Sequence, residues 1–379
     1  PFARREVCEI ELLFPKDYPA KALRSGHTGP LQNQFEILDA EGRSIPYQVL
    51  DIASGRTAKV PDAQGRRQAA GTDLDVYRVA LPLELPAAGY TPLTVKPLEG
   101  IGSSKRMLGS LRDGPYEAVN EYFRVRIHSN GRATIDHPAS GRTYAELFDY
   151  EDSGDAGDGW NFVPPVGNAT VVSPGATAHV RVEKDGPLEV TFRIDRTLPV
   201  PAALDEQQPE RRADDLVALS ITDYLTVRAG DPALKVRTVV ENTARDHRLR
   251  VLFPSDIDAD EYWSDQPFAW VQRPVATVPR SEDYKEPDPV ERPSHTVFAI
   301  AGEEGGLAVL CPEGLHEHAV HQDTRRTMAL TLFRAIGRTP RTDGEPGPQV
   351  LGTMEFQYAL LPFTGELPRG QIQRRVQEM

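Results

Sequence analysis

Runs of alternating apolar residues joined by two-residue turns recur along this chain, and they restrict it to an antiparallel sheet. Phe123, Val125 and Ile127 alternate up to Asn130-Gly131, and Ala133 and Ile135 resume beyond it, the pattern of a tight hairpin. FEILDAEGRSIPYQVLDI (35–52) repeats it around Glu-Gly, AHVRVEKDGPLEVTFRIDRTL (178–198) around Asp-Gly, and SITDYLTVRAGDPALKVRTVVEN (220–242) around Gly-Asp. EVCEIELLF, DVYRVALPLELPAAGYTPLTVKPL, RLRVLFPSDI, HTVFAIAGEEGGLAVLCP, TMALTLFRAIG and MEFQYALLPF read as further strands. A parallel sheet needs crossover helices, and the one helical window, a weak one, is Glu206–Leu216. The tail after Pro362 fits a strand or a helix. The fold class expected is all-β, antiparallel throughout.

A chain of 379 residues exceeds one ordinary core. The turn-rich stretch 101–115, IGSSKRMLGSLRDGP, marks the expected boundary. Residues 1–112 then form a small antiparallel β-sandwich and 113–379 a large two-sheet sandwich. Thr57 to Asp73 is polar and rich in Gly and Arg, which predicts a mobile loop. A net charge of -13 argues against nucleic-acid backbones and anionic membranes as partners. No apolar run approaches the ~20 residues of a membrane span. Cys8 and Cys311, far apart in sequence, read as two buried reduced thiols, implying a reducing compartment and a cytoplasmic location. The opening PFARREV lacks Met and runs straight into a strand, so a piece of a longer polypeptide is expected.

The stretch Glu146–Pro165 is chemically distinctive. It sets Glu146, Asp149, Glu151, Asp152, Asp155 and Asp158 among Gly154, Gly157 and Gly159, then Trp160, Asn161, Phe162 and a Pro pair. It reads as one shaped loop, neither helix nor regular strand. Acidic acceptors beside a flat aromatic and an amide suit sugar hydroxyls and a sugar's apolar face. The glycine order reverses the dinucleotide fingerprint. Asp152, Asp155 and Asp158 recur every third residue rather than every second, unlike a helix-loop-helix calcium site. HEHAVH (316–321) places His316 and His318 on one strand face, with Val320 where a zinc helix would carry its second histidine. In ENTARDHRLRVLFP, Asp246 can orient His247 or join an arginine network. Arg334, in an apolar strand, requires a carboxylate of the acidic loop or a ligand as partner.

EDSGDAGDGWNFVPP, with NEYFRVRIHSNGRATIDHPASGRTY before it and ARDHRLRVLFP after it, resembles family 38 of the glycoside hydrolases, in its bacterial α-mannosidase and mannosylglycerate hydrolase branch. PFARREV, AAGYTPLTV, TLFRAIGR and FQYALLPF add to the resemblance, which runs in order to about residue 363. It implies an N-terminal α/β barrel and helix bundle, absent here, followed by β-sandwich domains ending in a galactose mutarotase-like super-sandwich. It implies that the nucleophile and the zinc ligands lie in the barrel, so this chain contributes no catalytic and no metal-binding residue. It also implies that Asp158, Trp160, Asn161 and Arg334 reach the substrate, a mannose-containing glycoside, and that the parent is a homo-oligomer. Two rivals stand beside it. One is a self-contained epimerase or lyase using His247 with a loop carboxylate. The other is a sugar-binding module stacking on Trp160, Trp263 or Trp270.

Overall fold

Val125 stands opposite Ile135 and Ile127 opposite Ala133, with Gly131 at φ +82° in the turn between them. A Cβ at Gly131 would meet Arg196 Nε at 2.4 Å, so glycine is required there by backbone angle and by space alike. The other turn signals also join antiparallel neighbours, as in Leu216–Arg228 with Leu234–Asn242. The computed structural model describes residues 2–16, 18, 21–22, 32–58, 72–98, 105–167, 170–279, 288–314, 316–337 and 347–379. It is an all-β molecule of antiparallel sheets.

Contacts divide the chain into two units: Pro1–Arg112 with Lys184–Val190 and Arg228–Gly230, and the remainder. In the first unit, strands Arg4–Pro15, Thr72–Leu85 and Gln48–Ala58 form one sheet, and Ser44–Ile45, Phe35–Leu38 and Thr94–Pro97 another. Phe14, Phe35, Tyr47 and Tyr77 fill the core, Phe35 stacking on Tyr47 at 4.9 Å. Gln48 ties Lys184–Val190 into this unit, donating to Glu189 O and accepting from the amides of Leu188 and Glu189. Most of the loop expected at Thr57 to Asp73 lies outside the described residues, and its two ends are strand.

The second unit holds three sheets. The first joins Arg142–Leu147, Ala133–His137, Arg124–Ile127 and Glu117–Val119. The six-stranded one runs in the order Val171–Val172, Asp149–Gly154, His247–Pro254, Thr327–Ala335, His316–Val320, Arg292–Ser294. The nine-stranded one begins at Ala178–Lys184, passes through Glu189–Pro201, Leu216–Arg228, Leu234–Asn242 and Gly352–Thr364, and ends at Ala269–Pro274. Inward side chains of the six- and nine-stranded sheets meet: Phe253 lies 6.0 Å from Tyr358, and Tyr150 Oη donates to Asp223 at 2.6 Å.

Two helix expectations are decided. Glu206–Leu216 is not helical; Pro209 interrupts it, and Asp205 Oδ1 accepts the amides of Gln207 and Gln208 to make a turn. The tail forms the helix Arg369–Glu378, which buries Ile372 and Val376 against Val297 and Leu361. Cys8 is half-buried rather than buried, Cys311 is buried, and the two are not joined in a disulfide. No helix among the described residues is long and apolar enough to cross a membrane.

HEHAVH forms the strand His316–Val320. His318 points into the core, stacked on Phe298 at 4.5 Å, with neither ring nitrogen hydrogen-bonded. Burial, and then the charges of Arg273 and Arg292, hold its pKa down to about 3. The unfolded chain takes up this proton near the ordinary histidine value and the folded one does not. Stability is therefore lost as pH falls from ~6.5 toward about 3, by up to ~1.4 kcal/mol per pH unit. His318→Phe is expected to remove that slope and to stabilise by about 1 kcal/mol at neutral pH, as read from urea midpoints on both sides of the histidine range.

Candidate functional site

The acidic stretch is divided by the structure. Asp149–Gly154 is a regular strand of the six-stranded sheet, not part of a loop, and the loop begins at Asp155. The reason is that basic residues neutralise the strand's acids from neighbouring elements. Arg132 donates to Asp149 at 2.8 and 2.5 Å and to Glu146 at 2.6 Å. Arg250 pairs with Glu151 at 2.5 Å. Asp152, fully buried, accepts from Arg212 and meets His247 Nδ1 at 2.5 Å.

Asp155 to Phe162 wraps one guanidinium. Arg334 Nε donates to Asp155 Oδ2 at 2.7 Å, and its Nη2 donates to the carbonyls of Asp158 at 2.8 Å and Asn161 at 2.9 Å. The partner that Arg334 required is thus a carboxylate of the acidic loop. Asp155 Oδ1 also accepts the Gly157 amide at 2.9 Å. Ala156 N donates to Val163 O, and Asp158 N to Asn161 O. Asp158 Oδ1 caps the turn through the amides of Trp160 and Asn161 at 2.9 and 3.0 Å. The chain passes itself so closely here that a Cβ at Gly157 would stand 1.9 Å from Asn161 O.

The result is an internally hydrogen-bonded loop carrying an exposed aromatic. Trp160 is 69% exposed, and Asn161 beside it is exposed too. Asp158 and Arg334 are brought to the same loop but serve it, one as turn cap and one as its internal cation. Phe162 turns back, its ring 3.4 Å from the Arg248 guanidinium carbon and 6.0 Å from that of Arg334.

The residues of the two rivals are placed differently. His247 is fully buried, held between Asp152 and Asn242 Oδ1 at 3.0 Å. It is oriented by Asp152, not by Asp246, whose carboxylate receives Gln349 Nε2 at 2.7 Å. Trp270 packs half-buried on the core, and Arg369 lies over the Trp263 ring at 4.9 Å. Among the described residues no three His, Cys, Asp or Glu side chains converge as a metal site.

Sequence reading missed Asp155 as the organising carboxylate, and it missed Arg212 and Glu291. Arg212 and Glu291 lie outside the loop and give no local signal. Arg248 and Arg250 did give one: they alternate with Leu249 and Val251, so they share the face opposite the core. Both reach Glu291 Oε1, Arg250 at 3.1 Å. Burial alone would raise the Glu291 carboxyl, but Arg248 and Arg250 bring it below the usual range.

Residues 118–340 match the family model described as "Glycosyl hydrolases family 38 C-terminal domain". A Halalkalibacterium halodurans protein named "Putative mannosylglycerate hydrolase" is 28% identical over 342 residues, which is 86% of this chain and 37% of the relative. An α-mannosidase from Enterococcus faecalis V583 superposes with a TM-score of 0.79 at 22% identity, over 99% of this chain and 43% of that one. A family 38 protein from Enterococcus faecalis gives 0.79 at 21%, over 99% and 44%. The chain spans less than half the length of these relatives. The matched residues extend across the acidic strand, the Trp160 loop and Arg334, and the chain belongs to family 38 of the glycosyl hydrolases, whose C-terminal domain it carries.

Proposed function

We propose that this chain is the C-terminal β portion of a retaining α-mannosidase-type hydrolase acting on a mannose-containing glycoside. The names of its relatives support that substrate class. Retaining hydrolysis needs two carboxyl groups about 5 Å apart across one glycosidic bond. The carboxylates of the acidic strand and of Asp155 are tied to arginines, which leaves them no part as nucleophile or acid. The catalytic pair and the zinc are therefore assigned to the rest of the parent, its barrel.

Its own role is to wall the sugar cleft. Trp160 offers its ring to the sugar's apolar face and Asn161 its amide to hydroxyls, while Asp158 and Arg334 hold both in place. The observation that carries this reading is the loop tied to Arg334 on both sides of an exposed Trp160. In the full-length parent, Trp160→Ala is expected to lower kcat/KM for an aryl α-mannoside about tenfold, the loss of ~1.4 kcal/mol of stacking, with an unchanged melting temperature. Unaltered kinetics would refute the role. This chain by itself is expected to hydrolyse no aryl α-mannoside, and robust turnover by it would refute the assignment of chemistry elsewhere.

A further inference from the structure

At the opposite end of strand Thr327–Ala335 from the Trp160 loop, the second unit carries an open cleft of about 660 Å³. That volume lies within the range of small-ligand sites. Arg326, just before the strand, stands on its wall, and Arg334 near the strand's far end serves the Trp160 loop. At ~3.3 Å per residue the two are about 25 Å apart.

Strand register builds the floor. Glu261 stands opposite Pro274, and Trp263 opposite both Gln272 and Ala299. Tyr262 between them turns inward to His318, so Glu261 and Trp263 project to the other side of the nine-stranded sheet. Ala299 packs with Ile372 of the helix Arg369–Glu378 on that side. Trp263 is half-buried and lines the cleft together with Pro274 and Ala301. The exposed Arg369 guanidinium, 4.9 Å from the indole, holds the ring in one orientation.

The wall is polar and only partly used. Arg326 sits at φ +46°, a backbone conformation that a long side chain keeps only when its surroundings hold it there. Its Nε donates to Ala259 O at 2.8 Å and its Nη1 to Asp323 O at 2.7 Å. Nη2 makes no hydrogen bond among the described residues. The carboxylates of Asp260 and Asp258 lie 3.5 and 3.6 Å from it, and those side chains are 98% and 101% exposed. Gln322 beside it is exposed, and its amide is bonded to no described residue. A guanidinium fixed through two nitrogens, with the third facing the cleft, is set to meet an acceptor from outside the protein.

The lining selects that acceptor. An anion would face Asp260 and Glu261, and a cation would face Arg326, with Arg369 close behind the indole. A neutral group avoids both conflicts. Hydroxyls accept from Arg326, donate to Asp260 and do either with Gln322, while the C–H surface of a sugar ring fits an aromatic and apolar floor.

We propose that this cleft is a second carbohydrate site, taking a neutral sugar unit against Trp263 with Arg326, Asp260 and Gln322 as polar contacts. It goes beyond the role given to the Trp160 loop, since it shares no residue with that loop.

The test is calorimetric titration of the full-length parent with methyl α-mannoside and, separately, with mannotriose, product analysis confirming that neither is cleaved meanwhile. A site is expected that Trp263→Ala weakens about tenfold, Gln322→Ala about threefold, and Trp160→Ala leaves unchanged. Gln322→Ala and Asp260→Asn, both on exposed side chains, decide the matter should Trp263→Ala fail to fold. Equal affinity for the two probes assigns the cleft to a single sugar unit, and much tighter mannotriose binding assigns it to a glycan chain. Binding that is indifferent to Gln322→Ala and Asp260→Asn, or no binding beyond that lost in Trp160→Ala, would overturn the proposal. Displacement of the sugar by acetate, an anion without hydroxyls, would overturn the neutral class.

Discussion

Asp155→Ala is expected to destabilise the second unit by about 3–5 kcal/mol, the range for breaking a buried ion pair from one side. Its side chain is fully buried and that of Arg334 is 14% exposed. Removing the carboxylate leaves the guanidinium with the carbonyls of Asp158 and Asn161 and without its directly paired carboxylate. The amide of Gly157, held by Asp155 Oδ1, loses its acceptor as well. Asp155→Asn keeps that acceptor but not the charge, so it should fall between wild type and alanine. Asp158→Ala removes a half-buried turn cap and should cost about 1 kcal/mol. Denaturant midpoints rank the three. Proteolysis at Trp160 supplies the second readout: cleavage should accelerate in Asp155→Ala far more than the stability change of Asp158→Ala would give. Equal sensitivity of the two would mean that Arg334 does not organise the loop.

The same residues mark how far the sequence could be read. Period-two alternation and turn pairs identify strands because both are local. Val125, Ile127, Ala133 and Ile135 are buried as their spacing requires, and Asn130-Gly131 closes their hairpin. Glu146–Pro165 misleads because its composition dominates its pattern. Six acids and three glycines suggest a loop, yet Asp149–Gly154 alternates, with Tyr150 and Asp152 fully buried inward and Glu151 half-buried outward. An acid that faces a core needs a cation or a set of hydrogen-bond donors brought from elsewhere. Arg212 lies 60 positions from Asp152, a separation that no window of sequence contains. Arg334 shows the intermediate case. That it needed a partner follows from its own apolar surroundings; that the partner is Asp155 follows from the fold. The exposed Trp160 was legible as a candidate, and the tethering of its loop was not, because three of the bonds behind it come from a strand more than 170 positions away.

Asp223→Ala is expected to be at least as damaging as Asp155→Ala, again about 3–5 kcal/mol. Asp223 sits between the six- and nine-stranded sheets with its side chain 0% exposed, paired with Arg196 at 1%. It accepts Tyr150 Oη at 2.6 Å and Thr238 Oγ1 at 2.7 Å, and Thr238 continues to Tyr358 at 3.0 Å. Burial first, and the neighbouring Asp223 second, push both tyrosines well above their ordinary pKa, so each keeps its proton and can donate. Deleting the carboxylate strands a buried guanidinium and removes the acceptor of two hydroxyls. The cost lies in the uncompensated charge rather than in the attraction lost, which a double substitution separates. Arg196→Met on the Asp223→Ala background takes away the stranded cation and refills its space with an apolar chain. The double variant should therefore recover much of the stability, with a coupling of about 1–3 kcal/mol between the two sites. Additive losses would instead mean that the two side chains are not energetically coupled. Urea midpoints of the four proteins in the cycle decide between these outcomes. Recovery would place the cost of Asp223→Ala in the stranded Arg196 guanidinium rather than in the attraction lost.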